Sequence, residues 1–287
     1  MKCINRGWVV VVGILIALAG AAVPAHASFK PIAACGTTIS ASGDYQVTVD
    51  LTFTGTDCIT ITASQVSLKL NGHAIIGGLG FVGINIDLPS GRVNHVGIQG
   101  PGVIKNWTHG IRFNNTDYSN VQGVTAAQNS LNGILGFGNT FLLVSSNVLV
   151  GNGVWGLLLS SPTNSTIQYN EVSGNGGGGF AAAGGMIIGG ATNTVNNNTA
   201  IGNGAQVGTP NFNAGIVISA TGTRVYSNVT DGNVGPGIEV TGTGNQIFSN
   251  QSSAGNGTFD LQDDNTTCAS NLWSNNAFFT RSQTCIQ

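Results

Sequence analysis

Charge is what this sequence has least of. Only 7% of its 287 residues are Asp, Glu, Lys or Arg, against about a quarter in an ordinary soluble domain. A helical bundle, whose outer faces need Lys and Glu, is thereby excluded. Nine basic residues against eleven acidic ones, a net charge of -2, leave no basic footprint for nucleic acid. Long apolar runs are also scarce. Trp8–Val23 spans sixteen residues, short of the ~20 that a membrane-crossing helix needs, and no second run approaches it. No C-x-x-C pair is present, which excludes the common zinc spacings. Nowhere after residue 27 does an apolar stripe of helical period appear.

What is there begins with a leader. Lys2 and Arg6 precede the apolar run and Ala25-His26-Ala27 follows it, the pattern of a secretory signal over residues 1–27. The mature chain is expected from near Ser28, exported to periplasm or exterior, without a membrane span. Its four cysteines, Cys35, Cys58, Cys268 and Cys285, are expected as disulfides in that oxidising setting. Three connectivities exist, and the neighbouring pairs Cys35–Cys58 and Cys268–Cys285 are the natural choice.

With 44 glycines, 41% apolar residues and abundant Asn, the chain can build a core, so disorder is excluded. Between Val121 and Asn256 it repeats itself. Val144, Ile167, Val195, Val225 and Ile247 are each followed three residues later by Asn147, Asn170, Asn198, Asn228 and Asn250. A second series comprises Asn129, Asn152, Asn175, Asn203 and Asn233, with Asn256 one residue later in the last coil. Gly-apolar pairs follow: Gly133-Ile134, Gly156-Leu157, Gly179-Phe180, Gly215-Ile216 and Gly237-Ile238. A period near 22 residues indicates a solenoid and is half that of a propeller blade. It suits three short parallel strands per coil, stacked at about 4.8 Å. The recurrent Asn is expected to adopt left-handed turn conformations and to stack its amides in ladders. Longer spacings imply insertions at Gly176–Gly190 and Gln206–Asn213.

The run Val225-Tyr226-Ser227-Asn228, Asn233, Gly237-Ile238-Glu239-Val240 resembles the coil repeat of right-handed parallel β-helix proteins, the pectin-lyase-like superfamily. Val66–Gly77 resembles the opening coil of secreted bacterial members, and Phe259–Ile286 their closing segment. The resemblance implies an all-β chain: a single right-handed parallel β-helix of about nine coils with capped ends. Residues 28–65 would form an opening cap, 66–259 the coils and 260–287 a disulfide-closed cap covered by Trp273, Phe278 and Phe279. The superfamily holds lyases, hydrolases, epimerases, tail spikes and adhesins, so activity does not follow from fold. Of the polygalacturonase motifs only scattered fragments are present (Asn115-Thr116-Asp117, Thr108-His109-Gly110 and Asp263-Asp264). The Asp-Pro-His-Asp of alginate epimerases and the paired arginines of pectate lyases are missing.

Charged residues cluster unevenly. From Tyr118 to Thr223 the only one is Glu171, whereas Lys69–Asp117 is rich in them. Placing Gly83-Ile84 under Gly110-Ile111 turns Asn85, Asp87, Arg112 and Asn114 outward on adjacent strands, with Asp87 diagonal to Arg112 and with His109 and Asp117 bordering the strand. This group reads as a glycan site: Asp87, Arg112, His109 and Asp117 for catalysis, Asn85 and Asn114 for substrate binding. Beyond it the same column runs Leu135, Leu158, Val217, Glu239. No metal or other cofactor is expected. Calcium takes six or more oxygens with several carboxylates, which the Asp87 group does not supply; Asp260, Asp263, Asp264 and Asn265 read as a polar turn before the cap, with a calcium loop as the alternative.

Three function classes follow. The first is an exported protein that binds, and in its enzymatic form cleaves, polysaccharide or cell-surface glycan as a lyase or glycoside hydrolase. The second is a non-catalytic structural or adhesive surface protein. The third is a periplasmic accessory protein of metalloenzyme maturation, using His73, His95 and His109, one per coil. Oligomeric state is left open.

Overall fold

Short apolar strands alternating with left-handed corner residues wind the chain into a parallel β-helix. The computed structural model describes residues 29–53, 55–180, 182–205 and 213–287; the expected signal, residues 1–27, lies outside them. Three sheets run the length of the helix. The first holds eleven strands from Lys30–Ile32 to Leu272–Ser274, and the second ten from Thr37–Ile39 to Leu261–Asp263. The third holds nine, from Leu51–Thr52 to Gln251–Ser252. Strand pairing thus begins ahead of Val66 and continues into the segment after residue 259. The pivots stack in parallel register as Val121, Val144, Ile167, Val195, Val225, Ile247 and finally Trp273. All of them are buried, and each such aliphatic side chain stabilises the fold by about 1.5–3 kcal/mol.

The asparagine ladders form at two corners. Asn147, Asn170, Asn198, Asn228 and Asn250 each donate Nδ2 to the Oδ1 of the next, at 2.9–3.0 Å, ending on Asn276. Each Oδ1 beyond the first also accepts the backbone N–H of the rung below. The second hydrogen of each amide goes to a pivot carbonyl, as from Asn198 to Ile167 at 2.9 Å. The second ladder, Asn129 through Asn256, repeats this pattern. The left-handed conformation, however, falls on the residue before each ladder Asn: Ser146, Tyr169, Asn197, Ser227 and Ser249, with φ of 54–56°. That preceding residue makes the bend and so aims the Asn inward. The ladder Asn itself keeps an ordinary φ.

A second correction concerns the Gly-apolar pairs. A Cβ on Gly110 or Gly133 would lie 2.6 or 2.7 Å from the carbonyl oxygen of the same glycine one coil on. Only glycine permits that approach. After Gly156 the register continues to Gly185-Met186, Leu157 pairing with Met186, and not to Gly179-Phe180. The insertion therefore occupies 174–183, between Glu171–Ser173 of the third sheet and Gly184–Ile188 of the second. Ile187 joins the outward column between Leu158 and Val217. The second insertion falls between Thr199–Ile201 and Ile216–Ile218, at the same corner; of Gln206–Asn213, only Asn213 is among the described residues.

Both disulfides have the neighbouring connectivity, Cys35–Cys58 and Cys268–Cys285. At the far end Trp273 is buried, its Nε1 donating to Asp263 at 2.8 Å, and Phe278 packs on the core. Phe279 does not cover the end; it is 77% exposed. Asp260 accepts the backbone N–H groups of Phe279 and Thr280, so the acidic turn organises the cap. Among the described residues no helix is long and apolar enough to cross a membrane.

Candidate functional site

The outer face of the second sheet is built by alternation. Ile59, Ile61, Ile84, Ile86, Ile111 and Phe113 point inward and are fully buried. The residues between them therefore point out, and the register sets Thr38, Thr60, Asn85 and Arg112 side by side. Arg112 Nε donates to Asn85 Oδ1 at 2.9 Å, and its Nη2 reaches Asp87 at 3.4 Å. Asn114 Nδ2 donates to the other Asp87 oxygen at 2.9 Å. These four residues meet as the sequence implies.

Asp57 is the member that sequence reasoning missed. Its Oδ2 accepts Asn85 Nδ2 at 2.9 Å and its Oδ1 accepts the Val82 N–H at 2.8 Å. It also lines an open groove of about 390 Å³ with Thr38, Thr60, Thr56, Gly36 and Phe81. Ile59-Thr60-Ile61 carries the same alternation as Ile84-Asn85-Ile86, which is a signal for Thr60 beside Asn85; Asp57 precedes that strand and carries no such mark. With Asp57 included, one carboxylate pairs with the Arg112 guanidinium directly and a second is linked to it through Asn85, so the network has a net negative charge.

His109 borders the strand as expected, but as a neutral group. Burial, helped by the Arg112 charge, lowers its pKa to about 4. Asn132 Nδ2 lies 3.2 Å from Nδ1, a contact that places the ring proton on Nε2. The ring is therefore uncharged at neutral pH.

Asp117 is not brought to this group. It sits on Thr116–Asp117, paired with Val93–Asn94 in a separate two-stranded sheet. Arg92 grips both its oxygens at 2.6 Å and also bonds Gly138 O and Thr140 Oγ1, tying successive coils together. The Arg92 hydrogen bond holds the Asp117 carboxyl below the usual range. The three histidines do not converge either. His73 contacts Asp50, His95 stacks on Tyr118, and His109 meets Asn132. No metal-binding group of His, Cys, Asp or Glu exists among the described residues. Glu239 continues the outward column beside Val217, as expected, and is buried there. Downstream of Arg112 the same face is apolar, with Val217 buried against Trp155 and Ala214, and Leu158 and Ile187 packed beside them.

The chain resembles several solved structures. It matches the Dettilon tailspike protein at 15% identity and a TM-score of 0.54, covering 85% of this chain and 53% of the tailspike. It thus spans about half the tailspike's length, and at that identity the likeness is one of fold. An alginate lyase from Paenibacillus sp. str. FPU-7 has 15% identity and a TM-score of 0.39, over 87% of this chain and 91% of that one. A DFA-IIIase from Arthrobacter chlorophenolicus A6, without its lid, has 10% identity and a TM-score of 0.36, over 81% and 82%. No curated protein matches the sequence. The model of the right handed beta helix region matches residues 82–254, well over half the chain and all the central coils, so the chain belongs to the right-handed β-helix family.

Proposed function

We propose that the chain is an exported polysaccharide-binding protein whose glycan lies on the outer face of the second sheet. The observation that carries this is the connected network Asp57–Asn85–Arg112–Asp87–Asn114, opening beside a groove lined by Thr38 and Thr60. Carboxylates, amides and hydroxyls together donate to and accept from sugar hydroxyls. Arg112 holds two of these groups in place and remains partly exposed. Because Arg112 is already paired with Asp87 and Asp57 adds a second negative charge through Asn85, an acidic sugar must displace Asp87 from its 3.4 Å contact with Arg112; an uncharged one need not. In the enzymatic form of this reading Asp57 and Asp87 are the carboxylates available for proton transfer, His109 is a neutral donor, and Asp117 stays in its structural clamp.

The second reading, a structural or adhesive protein, is favoured by the fully bonded ladders and by the single charged residue between Tyr118 and Thr223. A glycan array with an assay for unsaturated uronate and reducing-end products separates the two. Arg112→Ala is expected to weaken binding at least tenfold, and Asp87→Asn to lower turnover more than binding if product forms. Wild-type-like binding in Arg112→Ala and Asp57→Asn would leave the structural reading ahead.

A further inference from the structure

The first sheet carries a trough with a different character. Its outward column reads Asp44, Ser67, Gly97, Asn120 in parallel register. Gln99, on the same strand as Gly97, stands on one side. On the other stand the corner residues Gln65, His95 and Tyr118, all left-handed, with φ of 57, 55 and 49°. The His95 and Tyr118 rings stack at 5.4 Å, and Phe141 continues the pile at 4.7 Å from Tyr118. Stacked rings cover one another's faces, so this wall presents ring edges and the Tyr118 hydroxyl. Tyr118 is 54% exposed. Together these residues line an open trough of about 490 Å³.

Gly97 sets its depth. Its φ is not in the left-handed region, so the backbone would accept a side chain there. A Cβ would lie 3.2 Å from the Asn120 amide, and anything longer would fill the trough. Apart from His95, whose Nδ1 lies 3.3 Å from Asn94 Oδ1, the polar side chains around it are unengaged. Among the described residues the side chains of Asp44, Ser67, Gln65, Gln99 and Asn120 make no hydrogen bond to protein, nor does the Tyr118 hydroxyl. The ladder asparagines and the Arg112 network, by contrast, are bonded to one another. Mixed donors and acceptors with one carboxylate and a lining more polar than apolar suit neither a lipid nor an anion. An added peptide strand is excluded as well, because the backbone beneath is already paired within the sheet.

We propose that this trough is a second glycan site, which takes a short uncharged oligosaccharide lying along the helix axis. Four strands at about 4.8 Å give it a length of about 14 Å. Asp44 accepts from vicinal hydroxyls at one end. The Ser67, Gln65, Gln99 and Asn120 groups bond along the middle, and the Tyr118 edge bounds the side. The site does not depend on the reading of the second sheet.

The test uses the full mature chain on an array of short uncharged oligosaccharides (gluco-, manno-, galacto- and N-acetylglucosamine series) alongside uronate oligomers, followed by titration calorimetry on the best ligand. Gly97→Gln is expected to raise Kd at least tenfold with an unchanged melting temperature, and Asn120→Ala to weaken the same ligand. Thr166→Gln, on the same column beyond the trough, should leave Kd unchanged. The proposal is overturned if no uncharged oligosaccharide binds, or if Gly97→Gln binds as wild type does. Binding lost in Arg112→Ala but kept in Gly97→Gln would assign the ligand to the second sheet and equally overturn it. Should Gly97→Gln fail to fold, Asp44→Asn with Gln65→Ala carries the same test from the trough's exposed rim.

Discussion

Asparagine does opposite work at the ladder corner and on the outer face of the second sheet. Asn198 is buried between copies of itself. It donates to Asn228 and Ile167 and accepts twice from Asn170, so every polar atom of its side chain is matched. Asn85 has no copy above or below it: Thr60 and Arg112 are its neighbours, and its amide joins Asp57 to Arg112. The ladder repeats because one solution serves every coil. The outer network ends after Arg112, where Leu135 takes over. Repetition marks what holds this fold up, and the break in repetition coincides with the proposed glycan face.

The largest test of that contrast is Asn198→Ala. It strands two Asn170 donors and the Ile167 carbonyl in the interior, so a loss of about 3–5 kcal/mol is expected in denaturant unfolding. Asn85→Ala, whose partners can rehydrate, should lose about 1 kcal/mol or less. Equal losses would erase the distinction. Asn198→Asp should be no milder than Ala, since a buried carboxylate would face the Asn228 oxygen with nothing to donate.

His109 sharpens the comparison on the outer face. Its folded pKa of about 4 lies below the ordinary 6.5. Between those values the unfolded chain binds a proton that the folded chain refuses, so stability falls as pH falls through that window. Above it the residue contributes no slope. His109→Gln should flatten the melting temperature between pH 6.5 and 4; an unchanged slope would mean that His109 titrates normally.

The smallest effect belongs to the Arg92–Asp117 clamp. The pair is solvent-facing, so Asp117→Asn should cost less than about 1 kcal/mol at neutral pH, and less still in high salt. Because the Asp117 pKa is lowered, its contribution is present at neutral pH and disappears as pH falls through its folded value. Glycan binding should be untouched, and a binding defect in Asp117→Asn would return that residue to the site.

Much of this was readable in the sequence because a repeat supplies its own alignment. The pivots, both ladders and the two disulfides are legible from spacing. So is the group Asn85, Asp87, Arg112, Asn114, since Gly83-Ile84 and Gly110-Ile111 fix which residues face outward. Asp57 escaped because the first coils lack the ladder asparagines that mark register. Ile187 escaped because an insertion carried a decoy Gly-Phe pair into the expected place. The left-handed residues escaped because Ser, Tyr and Asn share a conformation there but no chemistry. Asp117 follows the strand in sequence, but the chain turns at Asn115, whose φ is 49°, and Asp117 leaves with the turn. His109 was recognisable as a neighbour of Arg112, but its loss of charge depends on burial that only the packed coils create.

The ladder counts coils and not residues. Asn152, Asn175, Asn203 and Asn233 bond in unbroken succession although 23, 28 and 30 residues separate them. Extra chain leaves and rejoins at one corner without the rungs above or below being disturbed, and its closure entropy grows only slowly with length. The corner between the third and second sheets is therefore a port where new sequence can be tried at little risk to the stack. It opens onto the same sheet that carries Arg112, so a loop lengthened there changes the walls of the outer face and leaves the core as it was.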